Sequence, residues 1–178
     1  MSQWKTYSES TFCFITKTIV DWQNVLDTDH TCDVIICSFS YCQQHKKVTL
    51  HAYVIMPNHV HCILSASNGK LISGMMRDFG TFTSRKISEC LIEQNRVEET
   101  RRFQQAAISD NRGNDFKIWQ EGFHPIIITN EQFYRQKRDY IHENPVRKGF
   151  AQRIEDWKYS SARNYMFGDH SLIHVACL

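Results

Sequence analysis

Residues 49–66 read TLHAYVIMPNHVHCILSA. The first half, residues 49–56, is rich in β-branched and aromatic side chains and reads as a strand. Pro57-Asn58 is a turn signal, and residues 59–66 read as a second strand, so the stretch is a hairpin. On a strand, alternate side chains share a face. His59 and His61 therefore point one way and Val60 the other. Two imidazoles so placed can hold one metal ion; the competing reading is a polar strand face with two surface histidines. Their place directly after a tight turn puts them at a sheet rim, where a site can open to solvent beside a rigid scaffold. Rim residues bury little, so replacing either histidine is expected to cost little stability.

Working outward, residues 12–20 (FCFITKTIV) read as a strand. Residues 30–47 carry Val34, Ile35, Phe39 and Cys42 near helical spacing. Residues 70–98 form a long helical stretch whose candidate apolar side is Leu71, Met75, Phe79, Phe82, Ile87 and Leu91. Residues 96–117 are polar and read as a loop. Residues 123–129 (FHPIIIT) read as a fourth strand, with Pro125 suited to an edge or an early position. Asn130 is an N-cap candidate for a helix over residues 131–143. The order strand, helix, strand, strand, helix, strand predicts an α+β fold with a ferredoxin-like βαββαβ core. Four strands would form an antiparallel sheet with two helices on one face, and a C-terminal helix is added to it. Residues 1–178 read as a single domain.

That last helix holds the second chemical element, YIHENPV at residues 140–146. Tyr140 and Asn144 are four apart and share a helix face. The Asn144 amide oxygen is a candidate third metal ligand. Pro145 disfavours helical geometry at Asn144, and the alternative reading is that Asn144 caps a new helix; a capping side chain has its oxygen occupied, so the two roles compete. Tyr134 is the rival tyrosine, but the residue four along is Arg138, which ligates no metal.

Composition sets the outer bounds. The 42% hydrophobic and 22% charged fractions are ordinary for a globular chain. No apolar run is long enough to span a membrane, and residues 1–9 lack the pattern of a signal peptide, so the expected location is the cytoplasm. Seven cysteines without a CxxC pair read as reduced, mostly buried thiols. The net charge of +2 does not by itself argue for nucleic acid. Residues 131–163 hold eight Lys or Arg against five Asp or Glu, which suits phosphate contacts or a solvated surface. Arg135, Lys137, Arg138, Arg147 and Lys148 flank Tyr140 and are candidate DNA-backbone contacts. Trp119, Phe123 and Trp157 would stack bases or pack in the core.

The stretches YVIMPNHVHCIL and YIHENPVRKGF together resemble the single-tyrosine HUH transposases of insertion sequences, and most nearly the REP-associated tyrosine transposases and their relatives. The resemblance runs from about residue 10 to residue 166 and includes WQEGF at 119–123 and DWKYSSARNY at 156–165. It implies a ferredoxin-like core and metal-dependent cleavage of single-stranded or hairpin DNA. It carries the nucleophile role to Tyr140, the metal-ligand role to His59 and His61, and a third-ligand role to Asn144. The implied ion is Mg or Mn, and the implied state is a monomer or a homodimer. Where the family often has an acidic or amide residue, this chain has Phe123-His124-Pro125. His124 and His142 are assigned to surface or DNA contact. The rival reading is a non-catalytic DNA-binding regulatory protein derived from a transposase.

Overall fold

The computed structural model describes residues 10–122 and 124–178. The hairpin forms as β2 (Thr49–Met56) and β3 (His59–Ala66), antiparallel, with Met56 opposite His59. β1 (Thr11–Thr18) lies on the other side of β3, with Thr18 opposite His59 and Thr16 opposite His61. The short β4 (Ile126–Ile128) pairs with β1, so the sheet order is β2-β3-β1-β4 and the histidines stand on an inner strand.

The helices are α1 (Asp29–His45), α2 (Gly69–Glu93), α3 (Val97–Asp110), α4 (Glu131–Arg147) and α5 (Ala162–Phe167). One face of the sheet presents Cys13, Ile15, Tyr53, Ile55, Cys62 and Leu64, packed with Phe39 of α1 and Met75, Phe79, Ile87 and Leu91 of α2. The other presents Phe12, Phe14, Ala52, Val54 and Ile63, packed with Tyr134 and Ile141 of α4. The sheet is thus covered on both faces. This explains why β3 is buried along its whole length and reads as an almost continuous apolar run.

The outer edge of β2 is closed by the C-terminal segment. Ile55 N donates to Tyr159 O, Ser161 N to Tyr53 O and Ala176 N to Leu50 O, each at 2.9 Å. An open strand edge is a template for aggregation, and this return of the chain removes it.

Four sequence expectations are corrected. The polar stretch after α2 is largely helix, α3, because Glu, Arg, Gln and Ala are strong helix formers and Phe103 with Ala107 gives one buried contact row. Phe82 faces outward rather than joining the apolar side of α2. β4 spans three residues instead of seven, and Phe123, the expected strand start, lies outside the described residues. α4 continues through Pro145 to Arg147, so Asn144 sits inside the helix and does not cap a new one. Proline removes one ladder hydrogen bond, and the burial of Ile141, His142, Asn144 and Pro145 offsets that loss. Residues 1–9, read above for a leader pattern, also lie outside the described residues. No described helix is long and apolar enough to cross a membrane. All seven cysteines are free thiols, with Cys37 exposed, Cys177 half-buried and the others buried.

Candidate active site

His59 and His61 fall on the α4-covered face of the sheet, with ring centroids 4.7 Å apart. They are not rim groups: His59 is 7% and His61 6% exposed. α4 and the strand ends close over them, which the position after a turn did not reveal. Each ring has one nitrogen engaged. His59 Nδ1 donates to Asn58 Oδ1 at 2.7 Å, since an amide oxygen only accepts. That fixes the tautomer and leaves His59 Nε2 with its lone pair. His61 Nδ1 shares a 2.8 Å hydrogen bond with Thr16 Oγ1 on β1. Partners of this kind orient metal-binding imidazoles. The sequence marks Asn58 as a turn residue and leaves Thr16 within a strand; neither reads there as a histidine partner. The usable signal for Asn58 was an amide directly before the first histidine; Thr16 becomes visible only through the β1–β3 register.

Burial pushes His59 down to about 4, helped by the Lys148 charge and opposed by the Asn144 side chain. It pushes His61 down to about 3, helped by the His59 and Lys137 charges. Both rings are therefore neutral at pH 7, the form that ligates a metal.

α4 supplies the rest. Tyr140 and Asn144 face the sheet one turn apart. The Tyr140 ring lies 5.3 Å from the His61 ring and 6.0 Å from Phe14. The Asn144 side chain lies close enough to His59 to favour its charged form, yet Asn144 Oδ1 is buried with no hydrogen bond of good geometry. An orphaned buried acceptor costs about 1–3 kcal/mol and calls for an explanation. A cation beside the two imidazoles would satisfy it. Among the described residues no three His, Cys, Asp or Glu gather as a metal site. Two imidazoles and one amide oxygen nonetheless form a donor set that suits a divalent ion with coordination positions left open.

The five basic candidates divide. The Arg147 guanidinium stacks over the Tyr140 ring at 5.3 Å, Lys137 Nζ lies 5.9 Å from the same ring, and Lys148 acts on His59. Arg135 pairs with Glu131 one turn back. Arg138 pairs with Asp139, lies over the Tyr165 ring and donates to Leu178 O. The structure brings the first three to the site and engages the other two elsewhere.

Tyr134 is buried, its hydroxyl 2.7 Å from that of Tyr165, and burial pushes its ionisation far up. His142 is also buried, with Nε2 2.9 Å from Ser161 Oγ. The expectation of a surface or DNA contact is thus wrong for His142, because α4 turns that residue toward the C-terminal segment. His124 is exposed. Trp119 is core, its indole N–H donating to Thr83 Oγ1, and Trp157 is half-buried and donates to Ile55 O.

A residue the sequence reading passed over stands beside His59. Trp22 is 59% exposed, with its ring 6.1 Å from that of His59. Its backbone φ is 56°, and that of Asp21 is 52°. The left-handed region costs a bulky side chain about 1–2 kcal/mol.

Comparison with known proteins places the chain in a family. The family described as "Transposase IS200 like" matches residues 20–144, a span holding His59, His61, Tyr140 and Asn144. A REP-associated tyrosine transposase of Escherichia coli (strain K12) is 30% identical over 119 residues, 67% of this chain and 57% of the relative. A putative REP-associated tyrosine transposase of Haemophilus influenzae is 24% identical over 119 residues, 66% of this chain and 61% of the relative. The chain thus matches less than two thirds of the length of either relative. Among solved structures, a REP-associated tyrosine transposase bound to a REP hairpin has a TM-score of 0.59 at 21% identity, covering 93% of this chain and 86% of that one. A putative transposase of Deinococcus radiodurans has a TM-score of 0.50 at 15% identity, covering 77% and 92%. These structural likenesses concern the fold. With the family match spanning most of the chain and the fold agreeing, the chain belongs to the IS200-like transposase family.

Proposed function

We propose that this chain is a metal-dependent, DNA-cleaving transposase that acts on single-stranded DNA at a hairpin through a covalent phosphotyrosine. One observation carries the reading: Tyr140 converges on two neutral imidazoles and an orphaned amide oxygen, all under one helix. The hairpin-bound structural neighbour supports the choice of substrate.

His59 and His61 would hold a divalent ion, Mg or Mn, through their Nε2 atoms, and Asn144 through Oδ1. Imidazole donors favour Mn over Mg. Bound there, the ion would neutralise charge developing on the phosphate. His59 and His61 are held in the ligating orientation by Asn58 and Thr16. Tyr140 Oη loses its proton to solvent and attacks phosphorus. The new O–P bond forms as the bond to the 3′ oxygen breaks, and that oxygen leaves as a hydroxyl after taking a proton. Arg147 and Lys137, 5.3 Å and 5.9 Å from the Tyr140 ring, would face the phosphate that the phenol oxygen attacks. The covalent link keeps the phosphodiester energy available for later strand joining. Lys137, Arg147 and Lys148 would hold the DNA backbone, with Arg135 and Arg138 further along α4. Action on DNA goes with a cytoplasmic location.

The test is incubation with Mn and an end-labelled hairpin oligonucleotide carrying single-stranded flanks. The expected result is a protease-sensitive, slow-migrating adduct that chelator abolishes. Binding without an adduct under any divalent ion would favour the regulatory DNA-binding alternative. Cleavage without an adduct would make water the nucleophile and end the tyrosine mechanism.

A further inference from the structure

The turn that carries Trp22 is fastened on both sides. Before it, Ile19 N donates to Asn58 O and Val20 N to Ile118 O, each at 2.9 Å. After it, Val25 N and Leu26 N both donate to Pro57 O at 2.9 Å. Ile19, Val25 and Leu26 are buried. The turn is thus bolted to Pro57-Asn58, the same link that presents His59. Between these anchors Asp21 and Trp22 are both held at positive φ, and the indole stands out in solvent instead of joining the core.

A lone exposed aromatic is ordinary, and the chain has others. Tyr41, Phe82, Phe150 and Phe167 are all exposed, but none of them has a left-handed backbone. Strained backbone persists where the surroundings over-determine it, and it clusters at functional sites. Among the described residues, Trp22 alone combines that strain with a ring contact to His59.

We propose that Trp22 is a stacking platform for the nucleobase next to the phosphate gripped at His59 and His61, an inference that rests on the DNA-cleaving function proposed above. The chemistry fits a single-stranded nucleotide. The indole offers an open π surface on a rigid mount, and stacking on it tolerates any base. The Trp22 ring centroid lies 6.1 Å from that of His59, so a base on the indole would sit beside a phosphate held at the histidines. Lys148, whose charge reaches His59, adds a cation for that backbone. Trp22 would fix where along the flank the phosphate stops, which makes it a positioning residue rather than a catalytic one.

The test uses the chain of residues 1–178 carrying Tyr140→Phe, to prevent cleavage, and a fluorescein-labelled hairpin with short dT flanks in Mn buffer. Anisotropy should show Trp22→Ala and Trp22→Leu weakening binding by about 5- to 100-fold, with Trp22→Phe retaining most of the affinity. An abasic site walked along the flank should cost the parent protein a similar factor at one position. At that position the Trp22→Ala protein should lose nothing further. Indole fluorescence should be quenched by DNA in the parent and less so in Trp22→Phe. Unchanged binding by Trp22→Ala overturns the inference, as does retention of full affinity by Trp22→Leu or an equal loss on intact and abasic DNA at every position. A parent protein that does not bind the probe overturns the DNA reading itself. If the urea midpoint of Trp22→Ala falls, the Trp22→Phe and Trp22→Leu pair decides between ring and fold.

Discussion

Two clusters of histidine and tyrosine lie beneath the same helix, on the same face of the same sheet. Under the first half of α4, Tyr134 bonds Tyr165, Tyr165 donates to His51 O, and both His51 ring nitrogens are engaged, by Ala176 O and Ser65 Oγ. Under the second half, His59 and His61 each have one ring nitrogen engaged, and Asn144 Oδ1 has no partner of good geometry. Both clusters pair a tyrosine with buried histidines, so residue type and histidine burial do not separate a structural cluster from a reactive one, although Tyr134 is buried and Tyr140 half-buried. The difference is the satisfaction of donors and acceptors. A closed network specifies packing, whereas unspent lone pairs converging on one point ask for a ligand.

The comparison breaks most sharply at the two tyrosines. Tyr140→Phe should lower adduct formation by roughly a thousandfold or more, with DNA and Mn affinity kept. Tyr134→Phe should leave the adduct intact while weakening the fold. Gel-shift of a labelled oligonucleotide with both variants decides it, and an adduct that survives Tyr140→Phe but not Tyr134→Phe would reverse the assignment.

Next come the ligands. His59→Ala and His61→Ala should each abolish Mn binding in titration calorimetry, and His51→Ala should not. Because His59 and His61 are buried, their removal should also cost about 1–2 kcal/mol in urea melts, more than a rim position would. Retained Mn binding in both variants would refute the ligand role.

Acid probes both clusters together. His51 and His142 are pushed down by burial to about 4, like His59, with His61 at about 3. A lowered folded pKa means that the unfolded chain binds more protons between the folded value and the ordinary value of about 6.5. Stability is therefore full above about pH 6.5 and falls as pH drops toward 4, by up to about 1.4 kcal/mol per pH unit for each histidine. Mn should delay the loss at His59 and His61 only. Urea midpoints measured across pH 4–7, with and without Mn, check this, and a flat profile would contradict the burial argument.

The smallest effect is the most discriminating. Asn144→Leu replaces an unsatisfied amide with an apolar side chain of similar volume. It should stabilise the metal-free protein by about 1 kcal/mol while weakening Mn binding by about tenfold or more. Tyr165→Phe should do the opposite, costing about 1 kcal/mol without touching Mn affinity. Equal behaviour of the two variants would erase the distinction between the clusters.

The hairpin, the element order and the shared face of His59 and His61 were legible in residues 49–66 and their neighbours, because strand alternation and turn chemistry are local. Helical spacing likewise put Tyr140 and Asn144 on one face. Distance in space was not legible. That α4 would run through Pro145, bury both histidines and turn His142 inward depends on packing between segments far apart in the chain. Thr16 reaches His61 only through strand register, and Arg138 is engaged by Asp139, Tyr165 and Leu178 O together. Trp22 read as one more aromatic residue. Its meaning came from a backbone conformation imposed by hydrogen bonds to Pro57 and Asn58, some 35 residues on, which no local pattern encodes. Periodicity is written residue by residue, whereas the free valence of a buried nitrogen depends on what the rest of the chain leaves beside it.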